Sequence, residues 1–215
     1  MISALLLDLD DTLIDDRGAM ARAVLAFRAQ HQLSIELDDE QLSQRWDSIG
    51  RALWRQLDLG EVGFDEQRRL RLKNTFALDI SDEEADRLIA DYLHCYEQNW
   101  ANFSYTQAFL DASAHLPRAI ITNGHRPQAH KKLAQLGLDK HFDIIVTPDD
   151  CGARKPDPKI FLHTLAQLNV APENALMIGD NLEADIEPAQ ALGIRVFHID
   201  HMQIGRTVLD VIQHL

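Results

Sequence analysis

Two hydrophobic periodicities alternate along the chain, and the points where one gives way to the other predict its architecture. Residues 2–7 are apolar on both alternating faces, the pattern of a central parallel strand covered by helices on each side. Similar short apolar runs recur at residues 118–121, 142–146 and 175–178, with a fifth at 194–199. Between them, apolar residues three and four apart predict helices over residues 106–115, 127–136, 158–168 and 182–192. Pro158 suits the first turn of its helix, and Gly137 and Gly193 suit C-terminal caps. Strand and helix alternating in this way predict an α/β fold built on a doubly wound parallel sheet.

The stretch from Asp15 to about Ser104 breaks that alternation. None of it reads as a strand, whereas Trp46, Ile49, Leu53 and Leu57 keep helical spacing, as do Ala85, Leu88, Tyr92 and Tyr96. Four helices fit, at about residues 17–31, 38–57, 65–76 and 82–99, and Asp residues open three of them as N-caps. The expected organisation is an α/β core domain from residues 1–14 and 105–215, interrupted by an all-helical domain over residues 15–104.

Composition narrows the chemistry. With 46% hydrophobic residues among 215, the chain can bury a full core. A formal net charge of −13 offers no long basic face for a nucleic-acid polymer. The local exception is Arg68-Arg69-Leu70-Arg71-Leu72-Lys73, expected on the solvated side of a helix. Cys95 and Cys151 form no metal or redox pattern and suit a reducing compartment. The first apolar run meets Asp8 too soon for a signal peptide or a membrane span, so a cytoplasmic protein without a membrane partner is expected.

Chemistry-bearing residues collect at the ends of the predicted strands. The first apolar run ends in Asp8, Asp10 and Asp11, followed by Thr12. Like charges beside a core destabilise a fold unless they neutralise a cation or a reacting group. Asp8 and Asp10, one residue apart, point to the same side of an extended chain and can serve as attacking group and acid/base; as turn formers they would do neither. Thr122-Asn123-Gly124 follows the second strand and reads as an oxyanion cradle or as a plain Asn-Gly turn. Arg154-Lys155-Pro156-Asp157-Pro158 holds a cation in a restricted loop, for a phosphate or only as a surface charge pair. After the fourth strand, Asp180 lies at the strand end and Asp185 one helical turn later, where both can reach the same mouth or act as caps. Open α/β sheets place their ligand crevice at such strand ends.

These four motifs, in this order and spacing, resemble the haloacid dehalogenase superfamily of phosphohydrolases over nearly the whole chain, and the helical insertion is similar to its C1-type cap. The resemblance implies that Asp8 attacks phosphorus to form an aspartyl-phosphate, that Asp10 protonates the leaving oxygen and later deprotonates water, and that Lys155 offsets charge on both phosphate and Asp8. It implies Mg2+ held by Asp8, Asp180 and the backbone carbonyl of Asp10, with Asp185 coordinating directly or through a neighbour, and phosphate oxygens held by Thr122 and Asn123. The implied substrate is a small-molecule phosphomonoester, a nucleoside monophosphate or a sugar phosphate. Haloacid dehalogenases resemble this pattern but lack a carboxylate at the second position, so Asp10 implies phosphoryl transfer.

Asp11 stands where many members have Gly. Asp-Asp-Thr-Leu, with Ala52-Leu53-Trp54-Arg55, Leu57 to Val62 and Arg68-Arg69, looks similar to the branch of nucleotidases and acylneuraminate phosphatases. In such caps a turn like Asp58 to Gly63 faces the nucleophile. Trp54 is then a base-stacking residue or, with Trp46, part of the cap core, and Arg17 or Arg51 could meet a polar substrate. His125 is expected to be peripheral. The alternatives on the same fold are a phosphomutase, a dehalogenase or a phospho-ligand binding protein; a receiver domain is shorter and has no helical insertion.

Overall fold

A computed structural model describes residues 1–200 and 207–212, the side chain of Asp58 excepted. The chain forms two compact units, one of Met1–Asp15 with Ala101–Leu215 and one of Asp16–Trp100. Among the described residues no helix is long and apolar enough to cross a membrane.

The Asp16–Trp100 unit is helical, with α1 (Asp16–His31), α2 (Asp39–Asp58), α3 (Phe64–Phe76) and α4 (Asp82–Gln98). Asp38 caps α2 as its residue type predicts: its carboxylate accepts from Gln41 N at 2.8 Å while Gln41 Oε1 accepts from Asp38 N at 3.1 Å. The other two Asp-led starts are displaced by one or two residues. Ser81, not Asp82, caps α4 by accepting from Glu84 N, and Gly63 precedes α3. The Asp residues instead occupy the first turn, where a carboxylate favours the positive end of the helix dipole. Phe27, Trp46, Phe76, Tyr92 and Tyr96 fill the interior, with Trp46 Nε1 donating to the Tyr92 hydroxyl at 3.1 Å. Trp46 is therefore a core residue. Trp54 is half-buried and packs edge-on against Phe64, with ring centroids 6.3 Å apart.

The basic run on α3 does not share one solvated face. Arg69 and Lys73 point to the acidic start of α4 and pair with Asp86 at 2.6 Å and Asp82 at 2.7 Å. Arg71 turns inward, its guanidinium 4.4 Å over the Trp46 ring, and Arg68 lies 4.2 Å over Phe64. A helix of 3.6 residues per turn cannot place six successive residues on one side.

The other unit carries the sheet. Among the described residues, β1 (Ala4–Leu7), β2 (Arg118–Ile121), β3 (Ile144–Val146), β4 (Ala175–Gly179) and β5 (Arg195–His198) are all parallel, in the order β3-β2-β1-β4-β5. Central β1 is buried throughout. Leu5 and Leu7 enter one core layer with Phe109, Ile120 and Ile178, and Leu6 enters the other with Ile121, Phe161 and Met177. Two layers explain why the strand is apolar at every position. Truncating Leu6 to Ala would cost about 2–5 kcal/mol by opening a cavity in a closed layer.

The covering helices are α5 (Thr106–Ala112), α6 (Arg126–Gln135), α7 (Pro148–Cys151), α8 (Pro158–Leu168), α9 (Glu187–Ala191) and α10 (Val208–Val211). Pro158 opens α8, and Gly137 and Gly193 follow helix ends with φ of 71° and 80°. Two predicted helices differ, and one is added. α5 stops at Ala112, where the Ser113 hydroxyl donates to the Phe109 carbonyl. The single turn α7 lies in a stretch read as loop. The helix expected over 182–192 is a π-helical turn, Leu182–Ile186, followed by α9. Such widened turns recur at functional sites.

Candidate active site

Sheet register brings the first and fourth motifs together. β1 sits between β2 and β4, and the ladder to β4 continues one residue beyond the strand, with Asp8 N donating to the Ile178 carbonyl at 2.9 Å. Asp8 therefore leaves the sheet beside Gly179 and Asp180. This is where the strand order reverses, the position at which open α/β sheets bind ligands.

Asp8 is only 6% exposed and is held from both sides. Its Oδ1 accepts from Lys155 Nζ at 2.6 Å and its Oδ2 from the Thr12 hydroxyl at 2.9 Å. The same ammonium donates to Asp185 Oδ1 at 2.5 Å, so one buried lysine bridges two carboxylates. Asp185 reaches this position across Gly179: a Cβ on that residue would stand 2.6 Å from the Asp185 Cβ and Cγ. The second oxygen of Asp185 accepts from Asn181 N at 3.1 Å. Burial pushes the Asp8 carboxyl up to about 6 from its ordinary 3.8, with Lys155 opposing and Asp185 adding to the rise. Burial works against the Lys155 charge too, but Asp185 and Asp8 outweigh it and hold the ammonium above its usual range.

Lys155 is placed by its backbone. Asn123 Oδ1 accepts from Lys155 N and Asn123 Nδ2 donates to the Lys155 carbonyl, both at 2.8 Å. The Asn123 side chain, expected on a phosphate oxygen, is thus engaged in tying two loops together.

Asp8, Asp180 and Asp185 each offer an oxygen within 4.8 Å of the others. Two of the three groups are buried, and Lys155 lies between those two. Three hard oxygen donors gathered this closely fit a divalent cation of the magnesium or calcium type.

Asp10 meets the turn of the second motif. Its Oδ1 accepts from Lys132 Nζ at 2.5 Å, and a Cβ placed on Gly124 would lie 3.8 Å from its Oδ2 and 3.1 Å from the Thr122 hydroxyl oxygen. Asp10 and Thr122 therefore border the same turn, whose Gly124 N donates to Thr122 Oγ1 at 3.0 Å. Asp11 takes φ of 60° and its N–H closes a turn on the Ile14 carbonyl, which makes it a turn former.

Two residues of this site were not singled out in the sequence. Lys132 is 3% exposed and shares the buried stripe of α6 with Ala129 and Leu133. A lysine on that stripe is the signal that could have exposed it. His198, on β5, lies 2.9 Å from the Asp180 carbonyl through Nε2; because a carbonyl only accepts, that nitrogen carries the proton. No sequence pattern points to it. His125 is exposed at the head of α6, Arg17 is exposed, and Arg51 pairs with Asp47 at 3.0 Å.

Comparison with known proteins agrees with this geometry. A family model described as haloacid dehalogenase-like hydrolase matches residues 2–193. The chain is 29% identical to the glyceraldehyde 3-phosphate phosphatase of Methanopyrus kandleri, covering 90% of this chain and 82% of that one. It is 28% identical to the ribulose-1,5-bisphosphate 5-phosphatase of Halopiger xanaduensis, covering 93% and 85%. Among solved structures, magnesium-bound HAD-hydrolase YfnB of Bacillus subtilis superposes with a TM-score of 0.83 at 23% identity, over 100% of this chain and 98% of that one. With the family match running through all four strand-end motifs, this chain belongs to the haloacid dehalogenase-like hydrolases.

Proposed function

We propose that the protein is a magnesium-dependent phosphatase of small phosphomonoesters that works through an aspartyl-phosphate on Asp8. The observation that carries this reading is the placement of Asp10, a carboxylate held by Lys132 beside the Thr122 turn. Displacement of a halide needs no proton donor, whereas an alkoxide leaving group does.

Lys155 and Thr12 each hold one oxygen of Asp8 and so fix the direction from which it attacks phosphorus. As the Asp8 oxygen bonds to phosphorus, the ester oxygen departs and takes its proton from Asp10. Asp10 then accepts a proton from water as that water attacks the same phosphorus, releasing inorganic phosphate and restoring the Asp8 carboxylate. The Thr122 hydroxyl and Asn123 N–H would donate to phosphate oxygens, and Lys155 would balance their charge. Magnesium held by Asp8, Asp180 and the Asp10 carbonyl would supply further positive charge against the phosphoryl group. Asp185, with one oxygen on Lys155 and the other on Asn181 N, would orient the ammonium and the loop bearing Asp180.

The named relatives act on glyceraldehyde 3-phosphate and ribulose-1,5-bisphosphate, which favours a sugar phosphate over a nucleoside monophosphate. Trp46 is buried in the helical unit and the half-buried Trp54 packs edge-on against Phe64, which favours a part in that unit's core over base stacking. Phosphate release from a panel of sugar phosphates and nucleoside monophosphates, with magnesium and with EDTA, tests the reading. Metal-dependent release from at least one member is expected, and silence across the panel would overturn it.

A further inference from the structure

Arg71 is a guanidinium built into the helical unit without a counter-ion. It is partly buried, and among the described residues no carboxylate closes an ion pair with it. Asp16 and Asp47 act on it only at longer range, and burial pulls its pKa below the ordinary arginine value. The same helix shows that carboxylates are at hand, since Arg69 and Lys73 both take partners on α4. In a chain with 34 acidic residues, leaving the more buried cation unpaired is a costly arrangement.

The arrangement is also fixed. Arg71 Nε donates to the Trp46 carbonyl at 3.1 Å, Nη2 points to Met20 Sδ at 3.4 Å, and Cζ stacks 4.4 Å over the indole. Gly50 makes the space: a Cβ there would stand 2.5 Å from Arg71 Cζ and 2.7 Å from Nε and Nη2. Three residues along α3, Arg68 stacks on Phe64, and both guanidinium groups lie in the field of Tyr92 and Tyr96. Stacking and the Nε bond hold the plane of Arg71 while its Nη1 hydrogens have no partner among the described residues. A planar fork pre-set in this way suits a carboxylate or phosphate taken in a bidentate grip.

We propose that Arg71, assisted by Arg68, is an anion-binding residue of the helical unit that takes the carboxylate or phosphate group of a small metabolite. The anion site is independent of the phosphatase reading, because every residue that forms it lies in the Asp16–Trp100 unit.

The test is an NMR titration of the full-length, magnesium-free protein carrying 15N-arginine, with citrate and with inorganic phosphate as probes. A saturable shift of the Arg71 Nε–Hε resonance is expected, and R71M should weaken citrate binding by at least about tenfold. G50A, which retains every charge but crowds the guanidinium, should weaken it similarly; it carries the test if R71M does not fold. An Arg71 resonance unmoved by either probe up to about 10 mM, or citrate bound equally well by R71M, would overturn the proposal.

Discussion

Lys132 Nζ lies 2.5 Å from Asp10 Oδ1 although 122 residues separate them, and the lysine is 3% exposed. The chain thus buries an ammonium in order to hold the carboxylate assigned to proton transfer. Asp10 remains about one-third exposed, so it can rehydrate when the lysine is removed. Lys132→Met should therefore cost modest stability, about 1–3 kcal/mol, while kcat falls by at least about tenfold because Asp10 loses its position. Urea denaturation and steady-state kinetics on the same preparation check both parts; unaltered kcat would exclude a role for Lys132.

Asp185 makes a different demand on the fold. Removing it leaves Lys155 buried with a single carboxylate, and breaking a buried pair in this way typically costs about 3–5 kcal/mol. Asp185→Ala should lose stability of that order in EDTA, where no metal contributes. A loss under about 1 kcal/mol would show that Lys155 does not depend on its second partner.

Proton and metal should compete at Asp8. Its folded pKa of about 6 stands above the ordinary 3.8, so between these values the metal-free folded chain holds a proton that the unfolded chain has lost. The contribution of this group to stability is therefore greatest at low pH and falls as pH rises through that window. Magnesium must displace the same proton, so its affinity should rise with pH through the window and level off above it. Calorimetry in buffers of different ionisation enthalpy should detect about one proton released near pH 5 and almost none near pH 8. Equal proton release at both would contradict the assignment.

Asp11 is a test of backbone geometry. At φ of 60° a β-branched side chain is strained, so Asp11→Val should cost about 1–2 kcal/mol. Asp11→Gly should stay within about 1 kcal/mol of the parent, since relief of strain is offset by a more flexible unfolded chain. Thermal denaturation of the pair distinguishes a turn role from a catalytic one.

Much of the site was legible because strand ends are visible in sequence. Asp8, Thr122 and Asp180 stand at the ends of apolar runs, Lys155 lies in the loop that follows another, and parallel register brings those strand ends to one edge. The parts that were missed depend on contacts between distant segments. Lys132 reads as an ordinary helical lysine until α6 is docked, and His198 as an edge-strand residue until β5 pairs with β4. Asn123 shows a further limit: its residue type suits a phosphate ligand, but only the approach of the Lys155 loop reveals that its amide is taken. On α3, six residues of uniform basic character hid two faces, because charge composition does not record which side a helix buries.

The account turns on covalent chemistry at Asp8. Acid-quenched turnover of a phosphomonoester with magnesium, followed by peptide mass spectrometry, should find one phosphoryl group on the peptide containing Asp8, and Asp8→Asn should show neither that adduct nor turnover. Phosphate release without any adduct on that peptide, together with near-normal turnover by folded Asp8→Asn, would contradict it.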